Sequence, residues 1–131
     1  ISNARPKIAA YPFTTLEPSL GSFYGLILAD IPGLIEGASE GKGLGHKFLR
    51  HIERTRTLFH LISTESKDPL KDYQVIRNEL KSYNPNLLKK LEYVFLSKSD
   101  TLGKKELEEK IRTLKDGGLK PQALSVIDDK Y

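Results

Sequence analysis

The apolar residues of this chain fall into short dense runs separated by polar stretches rich in glycine or proline. Leu26-Ile27-Leu28-Ala29, Leu58-Phe59-His60-Leu61-Ile62 and Tyr93-Val94-Phe95-Leu96 lack the polar alternation of a surface strand. They read as core strands, with Leu26–Ala29 a central-strand candidate. Leu20 to Ala29 as a whole is extended, with Gly21 and Gly25 marking a turn. Between the runs the spacing becomes helical. Leu49 and Ile52 predict a helix from His46 to near Arg56, and Leu70, Tyr73, Ile76, Leu80 and Tyr83 form the apolar face of a second. Asp68-Pro69 opens that second helix, aspartate capping and proline at the first helical position, and Asn84-Pro85 ends it. Leu107, Ile111 and Leu114 define a third helix closed by Gly117-Gly118, before a last short strand over Ala123 to Ile127. Residues 1 to 20 carry three prolines and read as an irregular loop.

Strands alternating with helices predict an α/β fold, with a mostly parallel sheet covered by helices on both faces. In such sheets ligands bind at the carboxyl ends of the strands. Asp30, Ser63, Asp100 and Asp128 all fall at such ends.

Composition narrows the class. The 131 residues suit one domain, and 38% hydrophobic with 29% charged residues is the balance of a folded soluble chain. No apolar stretch is long enough to span a bilayer and the N-terminus shows no leader pattern, so a cytoplasmic setting is expected. Zero cysteines remove disulfides, thiolate metal sites and cysteine nucleophiles. The net charge of +4 comes without basic runs or interleaved aromatics, which argues against sequence-specific DNA binding. His46, His51 and His60 lack metal-ligand spacing and read as structural or surface groups.

The candidate chemistry lies at two strand ends. Asp30-Ile31-Pro32-Gly33 follows an apolar run and opens a segment bearing Gly37, Gly41, Gly43 and Gly45. A strand-end carboxylate can hold Mg²⁺ while the glycine N–H approaches a terminal phosphate. About seventy residues on, Ser97-Lys98-Ser99-Asp100 again closes an apolar run. Two acidic strand ends at that separation point to a guanine-nucleotide switch. Taken singly, either could be an ordinary turn.

Three segments carry a longer match: Tyr11-Pro12-Phe13-Thr14-Thr15-Leu16-Glu17-Pro18, Asp30-Ile31-Pro32-Gly33-Leu34-Ile35-Glu36-Gly37-Ala38, and Gly43-Leu44-Gly45-His46-Lys47-Phe48-Leu49-Arg50-His51-Ile52-Glu53-Arg54-Thr55. Together they closely resemble the Obg family of GTPases. The resemblance implies a P-loop NTPase-like domain, with residues 1–131 a partial GTPase domain truncated at both ends. It implies that Thr15, with Thr14 as fallback, joins the Mg²⁺ shell and meets the γ-phosphate, that Asp30 holds Mg²⁺ through water, and that Gly33 senses the γ-phosphate. It implies further that Asp100 accepts from guanine N1–H and the N2 amine, that Lys98 lays its stem along the base, and that backbone at Ser125 and Val126 lies near guanine O6. Ser97 stands where asparagine is more usual. The implied ligands are GTP or GDP and Mg²⁺, and the implied partners of the intact protein are the ribosomal subunit's RNA and protein, in ribosome assembly or stress regulation.

Two departures from the family pattern shape the expected activity. Leu34 follows the Asp-x-x-Gly glycine where many GTPases carry a water-orienting glutamine, so hydrolysis is expected to be slow; Glu36 and Glu40 lie nearby, and no residue is assigned as catalytic. Nothing matches the phosphate loop G-x-x-x-x-G-K-[ST], so the chain is expected to begin after it and to bind nucleotide poorly alone. The alternatives are a nucleotide-free interaction module that keeps the fold, and an ATPase relative.

Overall fold

The computed structural model describes residues 19–31 and 45–127. These fall into two compact units, one formed by residues 19–31, 45–55 and 79–88, the other by 56–78 and 89–127.

In the first unit, β1 (Ser19–Phe23) and β2 (Leu26–Asp30) pair antiparallel. Tyr24 and Gly25 link them, both at positive φ (47° and 78°). That two-residue primed turn matches the right-handed twist of the strands, and glycine meets its backbone demand without strain. The central-strand expectation for Leu26–Ala29 is corrected here. Among the described residues β2 pairs with β1 alone, and Leu26 and Ile27 are 64% and 79% exposed. A short apolar run does not reveal its neighbours, and the turn at Gly25 folds this one back onto β1. Helix α1 (Gly45–Glu53) buries Leu49 and Ile52. It stops three residues before the expected end, where the Thr55 hydroxyl donates to the Ile52 carbonyl at 2.7 Å. Leu80 and Leu87 are also buried in this unit, and Asn84 Nδ2 donates to Glu53 Oε1 at 3.2 Å.

The second unit holds a parallel sheet in the order β3-β4-β5, formed by Thr57–Ser63, Leu91–Ser97 and Gln122–Leu124. Its crossovers are α2 (Pro69–Tyr83) and α3 (Lys104–Asp116). The predicted α/β alternation is therefore present. The last strand ends at Leu124 rather than Ile127, leaving Ser125 to Ile127 as loop. Asp68 caps α2 as expected, its Oδ1 accepting the Lys71 N–H at 3.0 Å, with Pro69 in the first turn. At the end of α3, Leu119 N–H bonds the Leu114 carbonyl and Gly118 N–H the Lys115 carbonyl, a Schellman closure that places Gly118 at φ 87°.

The core of this unit is Ile62, Val94 and Leu96 from the sheet with Leu107 and Leu114 from α3; Leu70 and Tyr73 of α2 pack against it. Both helices cover one face of the sheet. Strand alternation turns Phe59, Leu61 and Tyr93 to the opposite face, where each is exposed and Phe59 meets Tyr93 and Phe95 edge to face. The α/β sheet with its helices is present, and within this unit both crossovers lie on one face.

A polar cluster sits on the helix-covered face. Glu92 Oε1 lies 3.0 Å from His60 Nδ1, while its Oε2 accepts from Arg77 Nη1 at 2.9 Å and from the Tyr73 hydroxyl at 3.2 Å. The Glu92 side chain is 9% exposed. Burial pushes its carboxyl upward, but the hydrogen bond from His60, the Arg77 charge and the Tyr73 hydroxyl outweigh this and hold it below the ordinary 4.5. Burial and the neighbouring Glu92 charge raise the Tyr73 hydroxyl. Because the Glu92 pKa is depressed on folding, its contribution to stability is fully present above about pH 4.5 and is lost as pH falls through the lower folded value. Glu92→Gln is expected to lower stability near neutral pH by about 1–3 kcal/mol, through loss of charge-assisted bonds, and to flatten the acid-side decline. Urea midpoints between pH 3 and pH 7, about the acid range at issue, check both effects.

Candidate functional site

Parallel strands deliver their ends to one rim, and in the second unit that rim carries polar residues. Register pairs Ser63 at the end of β3 with Ser97 at the end of β4, and Ser97 with Leu124 at the end of β5. The segments that follow, Thr64–Asp68, Lys98–Gly103 and Ser125–Ile127, leave the sheet side by side.

Lys98 takes the left-handed conformation, φ 59° and ψ 38°. For a residue with a Cβ this costs of order 1 kcal/mol, so the surroundings must hold it. Its carbonyl accepts from the Thr64 hydroxyl at 2.8 Å, from the Thr101 hydroxyl at 2.8 Å and from the Thr101 N–H at 3.0 Å. After it, Ser99–Thr101 makes a single 3-10 turn, with Ser99 buried and Asp100 exposed. Ser125 Oγ donates to Asp100 Oδ1 at 2.6 Å and accepts the Ile127 N–H at 3.1 Å. Asp100 is thus steadied through one oxygen while its carboxylate stays open to solvent. Val126, 92% exposed, follows Ser125 in the chain.

Lys98 Nζ donates to Glu65 Oε2 at 2.5 Å, both side chains being 56% exposed. That hydrogen bond and the Lys98 charge draw the Glu65 carboxyl below its ordinary range. Ser97 donates its hydroxyl to the Ile62 carbonyl at 3.3 Å, within the sheet. Lys110 of α3 donates to the Thr64 carbonyl at 2.7 Å and also to that of Ser66, fastening the Thr64–Asp68 segment from the helix side.

The structure therefore gathers Ser97, Lys98, Asp100, Ser125 and Val126 at one rim. Asp30 ends β2 in the first unit, opposite Ser19 and exposed. Thr15 and Gly33 lie outside the described residues, as do Thr14, Leu34, Glu36, Glu40 and Asp128. Sequence reasoning passed over Thr64, Glu65, Thr101 and Lys110. The polar run Ser63 to Asp68 was the available signal, since polar residues just beyond a buried strand mark the ligand-bearing edge.

The rim's donors and acceptors suit a planar heteroaromatic base. A carboxylate can pair with two adjacent N–H groups, a long alkyl stem can cover a ring face, and a neighbouring loop offers backbone N–H groups. A family model described as 50S ribosome-binding GTPase matches residues 1–98. The chain belongs to this GTPase family. It is 53% identical over 119 residues to GTPase Obg of Synechococcus sp. (strain JA-2-3B'a(2-13)), covering 87% of this chain and 34% of that protein. Against GTPase Obg of Lachnoclostridium phytofermentans it is 52% identical over 124 residues, 88% of this chain and 29% of that protein. Against GTPase Obg of Prochlorococcus marinus it is 50% identical over 124 residues, 91% of this chain and 38% of that protein. The resemblance drawn from the three sequence segments holds. The chain spans about a third of the length of the curated relatives it matches.

Proposed function

We propose that this chain is part of the GTPase domain of an Obg-like switch protein that binds GTP and GDP and hydrolyses GTP slowly. The observation that carries the reading is the rim itself, where Lys98, Asp100, Ser125 and Val126 are close together in a family member. Asp100 would accept from guanine N1–H and the N2 amine, a pairing adenine lacks the donors to make. Ser125 takes one lone pair of Oδ1, leaving Oδ2 and the second lone pair of Oδ1 for the base. Lys98, held beside Glu65, would cover the ring with its stem. With Ser97 bonded to the Ile62 carbonyl, its hydroxyl is engaged within the sheet.

Mg²⁺ fits the remaining donors. Among the described residues no group of three or more His, Asp or Glu could hold a metal by protein ligands alone. Mg²⁺ bound with a nucleotide needs only one or two protein oxygens, because phosphates and water fill the rest. Asp30 and Thr15 would supply them, the ion neutralising phosphate charge, and Gly33 would meet the γ-phosphate. Loss of that phosphate would release the segments around Thr15 and Gly33, which is how such a switch signals. Leu34 offers no hydrogen bond to a water molecule, which supports slow turnover without a partner. The family description, 50S ribosome-binding GTPase, supports action at the ribosomal subunit; a role in assembly or stress regulation in the cytoplasm belongs to the same proposal. No helix among the described residues is long and apolar enough to cross a membrane.

Titration of the longest natural polypeptide carrying this chain with a fluorescent GDP analogue tests the proposal. GDP and GTP are expected to displace the probe and ATP to leave it bound. Equal displacement by ATP rejects the base assignment, and absence of binding favours an interaction module.

A further inference from the structure

We infer that Thr64 is a positioning residue for base selection, fixing the turn that carries Asp100 to the body of the sheet; this rests on the reading of Ser97 to Asp100 as the base-contacting loop. Thr64 is fully buried and follows β3 directly. Its N–H bonds the Ser97 carbonyl at 3.0 Å, so it extends the β3–β4 contact by one residue. Its hydroxyl then reaches the Lys98 carbonyl at 2.8 Å.

The value of that bond lies in where it comes from. The two bonds that Thr101 makes to the same carbonyl run within the turn and would travel with it if the turn rotated. Thr64 belongs to a segment more than thirty residues earlier and is tied to α3 through Lys110. It therefore anchors the Lys98–Ser99 peptide plane from outside the turn. That plane sets ψ of Lys98, held at 38° in the left-handed region, and hence the direction in which Asp100 leaves the strand. Ser125 restrains the far end, at the carboxylate. With Thr64 and Ser125 on either side, Asp100 is pre-aimed before a base arrives. Discrimination that depends on a two-point hydrogen-bond pairing is sensitive to such aim.

Thr64→Val keeps volume and burial and removes only the hydroxyl, while the Lys98 carbonyl retains its Thr101 donors. Inosine lacks the N2 amine, so the ratio of GDP to IDP affinity reads the pairing at Asp100. Measured by competition titration on the longest natural polypeptide carrying the chain, this ratio is expected to fall about three- to tenfold in Thr64→Val, with Thr64→Ser restoring the native ratio. Should Thr64→Val not fold, Thr64→Cys, a weaker donor of similar size, reads the same ratio. An unchanged ratio, or equal weakening of GDP and IDP, overturns the inference, since a purely structural role would lower both alike. Asp100→Asn measured alongside separates the two levels. If it shifts the ratio and Thr64→Val does not, the role of Thr64 alone falls. If Asp100→Asn leaves the ratio untouched, the base-loop reading falls and takes this inference with it.

Discussion

Asp100→Asn is expected to weaken guanine-nucleotide binding by about a hundredfold or more and to turn preference toward xanthine nucleotides. A hydrogen bond to a charged acceptor is worth about 1.5–3 kcal/mol; asparagine loses one of the pair outright and strips the other of its charge, together about a factor of a hundred. Asparagine also places an NH₂ donor where guanine presents donors, which is repulsive as well as unrewarding. Xanthine carries a carbonyl in place of the N2 amine and accepts from that same NH₂. Ser125 Oγ, 2.6 Å from Asp100 Oδ1, can still donate to the amide oxygen, so the loop keeps its restraint and the change reports base chemistry. Competition titration with GDP and xanthosine diphosphate is the check. Unchanged GDP affinity would place the base elsewhere.

The second large effect is expected in the core. Leu96→Ala should destabilise the domain by about 2–5 kcal/mol, from lost transfer energy plus the cavity left behind. Leu96 is fully buried on the central strand β4, among Ile62, Val94, Leu107 and Leu114. Against a total of about 5–15 kcal/mol for a typical domain this is a large share. Leu96 also immediately precedes Ser97, and its register partner is Ile62, whose carbonyl receives the Ser97 hydroxyl. Slackening here therefore loosens the rim, and nucleotide affinity should fall together with stability. Leu96→Met, close in volume, should cost less than about 1.5 kcal/mol. A lower urea midpoint at unchanged slope is the expected signature. A Leu96→Ala variant of native stability would show that this core does not support the rim as described.

What could be read in the chain itself was local. Asp68-Pro69 opens α2 because a side-chain oxygen and a ring-fixed φ act within four residues, and Gly118 closes α3 because only a residue without Cβ enters the left-handed region freely. The apolar runs at Leu58–Ile62 and Tyr93–Leu96 mark strands by their short length and their aromatic and aliphatic content, which need no partner to be recognised. The acidic and polar residues just past those runs marked the rim for the same reason.

Pairing was another matter. The apolar run at Leu26–Ala29 looks central by content, yet among the described residues it is one arm of an antiparallel hairpin, since nothing in a run names its neighbour. The Glu92 cluster joins residues from β3, α2 and β4, and its carboxyl is drawn below the ordinary carboxylate range because His60, Arg77 and Tyr73 arrive together. Ser125 meets Asp100, and Thr64 meets Lys98, across twenty-five and thirty-four positions of chain. Residue type and spacing determined the strands and helices, because those follow from local backbone chemistry, and the three matching segments carried the family resemblance. Only the tertiary structure decided which hydroxyls steady Asp100, because parallel register, a property of two strands at once, sets which loops stand side by side at the rim.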